Sequence, residues 1–378
     1  MTWLSSYKRL LLLSTAASDR PWQGHITREY ITTWIQLQLD RQKMNDEWRK
    51  VMPESEELQR NEGLSESALA WIRGQCGGSW NIRAIRPLLG GISSAVYELE
   101  LEKDGESAKW VLRQYTNRAW LEEEPDLVAH ESAALQAASE YGIAAPNGLA
   151  SDSDGRGCGM PSVLMSHLPG EVVLMPADRA GWLRGLAQAL AHLHLQGTRT
   201  FPWTYFSYID PARFSIPEWT SKPDVWREIA RIIQGPEPAY TQRFIHRDYH
   251  PGNVLWEHGR VTGIVDWVNA CLGPSGIDVG HCRVNLAQLH GPEAADQFLA
   301  AYLEYMRDGQ AAGYDPYWDM VTLACYVSDG LEVYRGWIDL GITHLDEDLL
   351  AERLDEYAEG LLQRHSASFT ARELSNME

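Results

Sequence analysis

The sequence predicts an α+β protein in two lobes, a small antiparallel-sheet lobe followed by a larger, mainly helical one. Three observations predict it. Residues 95–115, AVYELELEKDGESAKWVLRQY, alternate about a turn at Asp104-Gly105, the signal of a β-hairpin. Residues 178–197, DRAGWLRGLAQALAHLHLQG, carry Trp182, Leu186, Leu190 and Leu193 at helical spacing. From Asp278 onward the chain reads as helices with apolar faces.

Residues 1–64 differ in character from the rest of the chain. Ile26 to Met52 has helical character, with Ile31, Trp34, Ile35, Leu39 and Trp48 near one face, and Pro53 stops it. PESEELQRNEG is then acidic and linker-like. The stretch reads either as a helical appendage or as sequence upstream of a true start at Met44 or Met52. A helix comes after Ser65, whose hydroxyl can cap SESALAWIRGQCG. Residues 65–168 make the sheet lobe. In its hairpin, Tyr97, Leu99 and Leu101 point one way and Glu98, Glu100 and Glu102 the other. The next strand sets Trp110, Leu112 and Gln114 against Val111, Arg113 and Tyr115. A helix over Asp126–Glu140 holds Glu131, and MPSVLMSHLPGE is a strand ending at Pro169-Gly170.

Residues 169–378 make the helical lobe. Gly197 is a natural end for its first long helix. A second hairpin spans 243–266, with EHGR as its turn. No internal repeat or low-complexity tract occurs.

Composition narrows the function. Hydrophobic residues make up 44% of the chain, sufficient for a full core. The formal net charge of −19 disfavours a nucleic-acid partner and is compatible with a cationic small substrate or a magnesium–nucleotide complex. The five cysteines are scattered with no C-x-x-C pair, which reads as reduced thiols in a cytoplasmic protein. No run approaches the roughly eighteen apolar residues of a membrane span. Near the N-terminus, KRLLLLSTAAS is interrupted by Ser14 and Thr15 too soon for a secretory core.

The chemistry concentrates in FIHRDYHPGNVLW, residues 244–256, where seven polar or turn-forming residues stand between strand-like ends. Asp248 is followed five residues later by Asn253 and, thirteen after that, by Asp266 in GIVDW. Two carboxylates and an amide converging from neighbouring short strands suit a hard cation such as magnesium, which completes its shell with water and phosphate oxygens. Upstream, LLGGISSAVYEL sets Gly90, Gly91, Ser93 and Ser94 at a strand–turn–strand junction, where glycines admit phosphates and hydroxyls add donors. Arg113 on the next strand can meet phosphate oxygens, and Glu131 on the following helix can hold that cation.

The order of these parts matches the phosphoryl-transfer template: glycine loop, strand cation, helix carboxylate, H-R-D-x-x-x-x-N, metal aspartate. The chain resembles the aminoglycoside phosphotransferase and choline kinase family, the small-molecule branch of the protein-kinase-like fold. HRDYHPGNVLW resembles that family's H-x-D-x-H-P-G-N signature, IVDW its metal-binding strand, and GIDVG with Asp278 the aspartate that braces the catalytic loop. The match covers roughly residues 65–365. It implies that Asp248 accepts the substrate hydroxyl proton and that Asn253 and Asp266 hold Mg2+. Arg113, paired with Glu131, would contact the phosphates of ATP or GTP. The backbone of Ser166 to Leu168 would meet the purine, while His246, His250 and Asp278 support the loop. Arg113 stands where protein kinases carry lysine, and GGISS lacks the full G-x-G-x-x-G spacing.

The acceptor is expected to be a small-molecule alcohol. Only twelve residues separate Asp266 from Asp278 and no A-P-E anchor occurs after them, too short for a peptide-binding platform. The aromatic stretch FPWTYFSYIDPARFSIPEW, and Tyr326, Asp329 and Glu332 further on, either line a site for a cationic amino-sugar or amino alcohol or simply pack helices. His167, His194 and His281 read as packing or capping histidines. The alternative function is a catalytically silent, kinase-like nucleotide-binding protein or interaction module. Retention of Asp248, Asn253 and Asp266 together argues for the enzyme.

Overall fold

The computed structural model describes residues 63–76, 80–88, 94–196, 200–306, 314–328 and 330–375. The helix read over Ile26–Met52, the linker up to residue 62, and Gly90, Gly91, Ser93, Gly197 and Asp329 lie outside the described residues. Contacts divide the chain into two compact units, residues 1–66 with 118–125 and residues 67–117 with 126–378.

Helix α1 (Glu66–Gln75) begins where the first unit ends, and it buries Ala68 and Ile72. In the second unit, β1 (Asn81–Leu88), β2 (Ala95–Lys103) and β3 (Glu106–Gln114) run antiparallel. The β2–β3 turn is Asp104-Gly105, with φ of 50° and 84°, the left-handed pair that a tight hairpin demands. Register places Leu99 opposite Trp110 and Tyr97 opposite Leu112. Tyr97, Leu99, Leu101 and Leu112 are all buried. Burying each such side chain contributes about 1.5–3 kcal/mol. The opposite face is not simply solvated: Glu98 is buried and accepts from Lys109 Nζ at 3.0 Å and Arg86 Nη1 at 2.9 Å.

Helix α2 (Arg118–Glu123) belongs to the first unit, and its last turn closes through Glu124 N–H donating to the Trp120 carbonyl at 2.7 Å. Back in the second unit, α3 (Leu127–Glu140) packs on β4 (Gly148–Asp152) and β5 (Ser162–Ser166). These strands complete a five-stranded antiparallel sheet of order β1-β2-β3-β5-β4.

After β6 (Glu171–Val172) the chain turns helical. Helix α4 (Arg179–Leu195) is capped by Asp178, which accepts from Gly181 N–H at 2.9 Å, and it buries Trp182, Leu186, Leu190 and Leu193 as its periodicity predicts. Its C-cap is Gln196. Helix α5 (Pro223–Ile233) is next. Then come β7 (Gln242–Ile245), β8 (Val254–Glu257), β9 (Arg260–Ile264) and β10 (Cys271–Pro274).

Here the structure departs from the sequence expectation. Residues 243–266 are not one hairpin. Only β8 and β9 form it, about His258-Gly259, whose φ values of 51° and 73° suit the turn. β7 pairs instead with β10 in a separate two-stranded sheet, and β6 adds to β8. The polar loop between β7 and β8 takes its hydrogen bonds from elsewhere, so the strands on either side of it need not pair.

The remaining helices are α6 (Gly276–His290), α7 (Pro292–Met306), α8 (Pro316–Val327), α9 (Arg335–Asp339) and α10 (Glu347–Ser375). Helix α7 packs on α4 and α6, and α8 packs on α6. The fold is α+β and bilobal, an antiparallel sheet with few helices followed by a helical lobe that carries the β7–β8 loop.

Candidate active site

The loop between β7 and β8 is held from beneath by α6. Asp278, fully buried in its first turn, accepts from the backbone N–H of His246 at 2.8 Å and of Arg247 at 2.6 Å. His194 on α4 donates from Nε2 to the same carboxylate at 3.0 Å, and the Tyr302 hydroxyl meets its Nδ1 at 2.8 Å. Charge-assisted bonds of this kind are the strong ones, and in a dry site they fix the backbone they hold. Arg247 adopts φ of 68°, a conformation that non-glycine residues keep only where surroundings enforce it. Its guanidinium lies 3.8 Å from the Tyr208 ring centre and 4.2 Å from that of Phe206, and it donates to the Phe206 carbonyl at 2.6 Å. Part of the aromatic stretch therefore grips the loop. His246 Nε2 donates to the Val265 carbonyl at 2.9 Å, joining the loop to the end of β9.

Asp248 projects from this clamped backbone. Its Oδ2 accepts from Asn253 Nδ2 at 3.2 Å, and the same amide nitrogen donates to the Asp248 carbonyl at 2.9 Å. With its nitrogen so engaged, the Asn253 amide keeps its oxygen for another partner. Asp248 Oδ1 lies 3.0 Å from His281 Nε2 and 3.9 Å from His250 Nε2. Burial pushes the Asp248 carboxyl up, but the His281 hydrogen bond and the potentials of His250, His281 and His246 outweigh it. They hold it well below the usual carboxylate range. His250 caps the short turn Pro251–Asn253, its Nδ1 accepting from Gly252 N–H at 3.1 Å, and burial pushes its imidazole down to about 4.

Asp266 lies two residues beyond β9, with φ of 66°. Pairing brings the residue before it against Asn253: Val254 faces Ile264, and Val265 N–H donates to the Asn253 carbonyl at 2.9 Å. Arg113 on β3 reaches it, Nη1 to Asp266 Oδ1 at 2.5 Å. The same nitrogen donates to Glu131 Oε1 at 3.0 Å, and Nε donates to Ser94 Oγ at 2.8 Å. Tyr115 donates to Glu131 Oε2 at 2.5 Å. Arg113 and Glu131 are buried, at 5% and 1% exposure, so that pair is dry, while the Asp266 side chain is 33% exposed. Burial raises the Glu131 carboxyl against the pull of Arg113. It works against the Arg113 charge, but Asp266 and Glu131 more than compensate.

Of the residues singled out from sequence, Ser94, Arg113, Glu131 and Asp266 thus form one cluster, and Asp248, Asn253, His246, His250 and Asp278 another. Val265, next to Asp266, links the two, its N–H donating to the Asn253 carbonyl and its carbonyl accepting from His246 Nε2. Ser166 and Leu168 stand apart. Arg113 pairs with Val163 on β5, and Ser166 lies three residues on, roughly 10 Å along the strand. There Ser166 N–H donates to the Asn147 carbonyl at 2.9 Å and His167 N–H to the Lys109 carbonyl at 3.2 Å.

Two residues near Asp248 escaped sequence reasoning. His281, read as packing, hydrogen-bonds the carboxylate; its spacing of three from Asp278 on one helix was the available signal. Tyr334 feels the charges of Asp248 and Asp266, and burial together with them pushes its hydroxyl up to about 12. No sequence pattern marked it.

The donor set at Asn253 and Asp266 is an amide oxygen and a carboxylate, hard ligands that fit a magnesium ion sharing its shell with phosphate oxygens. The phosphotransferase enzyme family matches the chain over residues 84–316, more than half of its 378 residues. Among solved structures, the chain is similar to the macrolide 2'-phosphotransferase MphH from Brachybacterium faecium. Identity is 19%, coverage 74% of this chain and 99% of that chain, and the TM-score 0.48. It is also similar to an aminoglycoside-3'-phosphotransferase of type VIII, at 17% identity over 69% of this chain and 100% of that chain, with a TM-score of 0.46. An amicoumacin kinase in complex with AMP-PNP and Ca2+ is similar at 14% identity, covering 75% and 89%, with a TM-score of 0.47. No curated protein matches the chain.

Proposed function

The chain belongs to the phosphotransferase enzyme family, and we propose that it moves the γ-phosphate of ATP or GTP onto a hydroxyl of a small molecule. The observation that carries this reading is the Asp248 carboxylate, anchored at both oxygens and held ionised, on a loop whose Asn253 carbonyl accepts from Val265 N–H, one residue before Asp266.

The acceptor hydroxyl oxygen attacks the γ-phosphorus while its proton passes to Asp248. The bond from phosphorus to the bridging β–γ oxygen breaks, and the nucleoside diphosphate leaves with that electron pair. The transition state is loose, so the hydroxyl proton leaves late and a weakly basic carboxylate suffices; its work is to orient the nucleophile. Asn253 and Asp266 would hold Mg2+, which neutralises phosphate charge when bound. Arg113 supplies a fixed cation beside Asp266, with Glu131 and Ser94 setting its plane. Asp278, His246 and His250 keep the loop in shape. The backbone of Ser166 to Leu168 would take the purine through Leu168 N–H or the carbonyl oxygens, since Ser166 and His167 N–H are engaged by Asn147 and Lys109. The acceptor class is an amino-sugar, amino alcohol or sugar. No helix among the described residues is long and apolar enough to cross a membrane, and the five cysteines are free. Both are in keeping with work in the cytoplasm.

A coupled ADP-release assay with magnesium and ATP or GTP, run across aminoglycosides, macrolides, choline, ethanolamine, homoserine and small sugars, tests the reading. One strong acceptor, silent with Asp248→Ala, is the expected result. Turnover surviving in that variant, or magnesium–nucleotide binding with no acceptor turned over, would overturn it.

A further inference from the structure

We infer that His281 is a positioning residue for Asp248, locking the carboxylate that orients the acceptor hydroxyl; the inference rests on the phosphotransfer reading above. Asp278 and His281 lie three residues apart on α6 and so share one face of it. The first holds the loop's main chain, through His246 and Arg247 N–H, and the second reaches the side chain the loop presents. One helix therefore sets both the backbone and the rotamer.

The geometry of Asp248 supports a lock rather than incidental packing. Its two oxygens are engaged by different elements, Oδ1 by His281 Nε2 at 3.0 Å and Oδ2 by Asn253 Nδ2 at 3.2 Å. A carboxylate pinned at both ends cannot turn about its last bond. Each oxygen still keeps a lone pair for the acceptor hydroxyl. Nor is His281 a core histidine. Its side chain is 25% exposed, against 0% for His194, and Asp248 is its hydrogen-bond partner.

Asp248, His250 and His281 also offer ligand atoms within 4.8 Å of one another, close enough to suggest a metal. The hydrogen bond at His250 argues otherwise. Gly252 N–H donates to His250 Nδ1, so the neutral ring carries its proton on Nε2, the nitrogen nearer Asp248. A protonated nitrogen is no ligand. At 3.9 Å that nitrogen is also beyond hydrogen-bond distance of Asp248, so the dyad of Asp248 and His281 is what remains.

The experiment compares wild type, His281→Ala and His281→Gln, using the acceptor found in the ADP-release screen. Gln carries an amide donor near the position of Nε2. His281→Ala should lower kcat about 10- to 100-fold, since a loosened catalytic group loses alignment, with KM for the nucleotide within about twofold. His281→Gln should recover most of the loss. Melting temperature and magnesium–nucleotide affinity of both variants should stay at wild-type values. An unchanged kcat in His281→Ala overturns the inference, as does an equal loss in both variants accompanied by lower melting temperatures. A wild type inactive toward every acceptor would instead bring down the phosphotransfer reading, and this inference with it.

Discussion

Arg113 Nη1 lies 2.5 Å from Asp266 Oδ1, although 153 residues separate them in the chain. The contact fastens β3 to the segment that follows β9, and it gives one oxygen of the proposed metal ligand to a guanidinium. Glu131, at 1% exposure, depends on the same nitrogen.

Arg113→Ala would leave the Glu131 carboxylate buried with its charge unpaired. Breaking one side of a buried pair costs about 3–5 kcal/mol. Urea unfolding should show a loss of that order. Arg113→Lys should keep more of the stability, because the charge remains, and yet raise KM for the nucleotide. A single ammonium cannot hold Ser94, Glu131 and Asp266 at the angles of a planar fork. Wild-type stability in Arg113→Ala would show that the pair is solvated and not the dry one described.

A second expectation concerns the cation. Asp266→Asn keeps the shape of the side chain but removes the charge that a hard ion needs. The magnesium concentration for half-maximal velocity should rise at least about tenfold. Asn253→Ala should act in the same direction and also release Asp248 Oδ2, so its kcat should fall as well. A magnesium titration of the three proteins checks both. Superimposable curves for wild type and Asp266→Asn would remove Asp266 from the metal site.

The range of each interaction decides how much of the molecule was legible in sequence. The β2–β3 hairpin was, because alternation and an Asp-Gly turn are local, and so was the stripe of α4. The proximity of Asp248 and Asn253 was too, since five residues and a Pro-Gly turn join them. The pairing of β7 with β10 was not: Ile245 meets Cys271 across a loop whose own hydrogen bonds decide the matter. Nor was the role of Tyr205, Phe206 and Tyr208. Aromatic composition does not distinguish rings that line a cleft from rings that stack on Arg247. His281 was hidden for a related reason. A histidine on a helix becomes informative only once the helix is known to pass beneath Asp248.

Acid stability should depend on Asp355, far from the loop in sequence and chemistry. This α10 carboxylate, 2% exposed, accepts from Thr220 Oγ1 at 2.5 Å, Trp226 Nε1 at 2.7 Å, and Ser221 N and Oγ at 2.8 Å. Burial alone would raise it; the donors outweigh burial and hold it below its ordinary value. A depressed carboxylate stabilises the fold above its unfolded value, about 4, and that contribution is lost as pH falls through the folded one. Asp355→Asn turns one acceptor into a donor facing donors, at a cost of about 2–4 kcal/mol at pH 7. The gap to wild type should narrow below about pH 4. Urea midpoints at the two pH values decide it, and a gap that is the same at both would refute the assignment.

Two glycines inside helices separate propensity from packing. Propensity alone favours alanine over glycine by up to about 1 kcal/mol at either position. At Gly360 on α10, a Cβ meets nothing within 4 Å, and Gly360→Ala should raise the urea midpoint slightly. Gly280 lies on α6 between Asp278 and His281. A Cβ there would stand 2.8 Å from Thr322 Oγ1, 3.0 Å from the Asp319 Cα and 3.1 Å from the Trp318 carbonyl oxygen. Two of those three atoms are backbone of α8, which cannot turn aside, so α6 itself must move. Overpacking of this kind costs about 1–3 kcal/mol. The displaced helix carries both the brace of the loop and the partner of Asp248, so kcat should fall with stability in Gly280→Ala and stay at wild type in Gly360→Ala. Opposite signs from one chemical change would place the difference in the α6–α8 contact. A Gly280→Ala protein as stable and active as wild type would mean that the two helices tolerate separation, and that α6 does not hold the loop as rigidly as its hydrogen bonds imply.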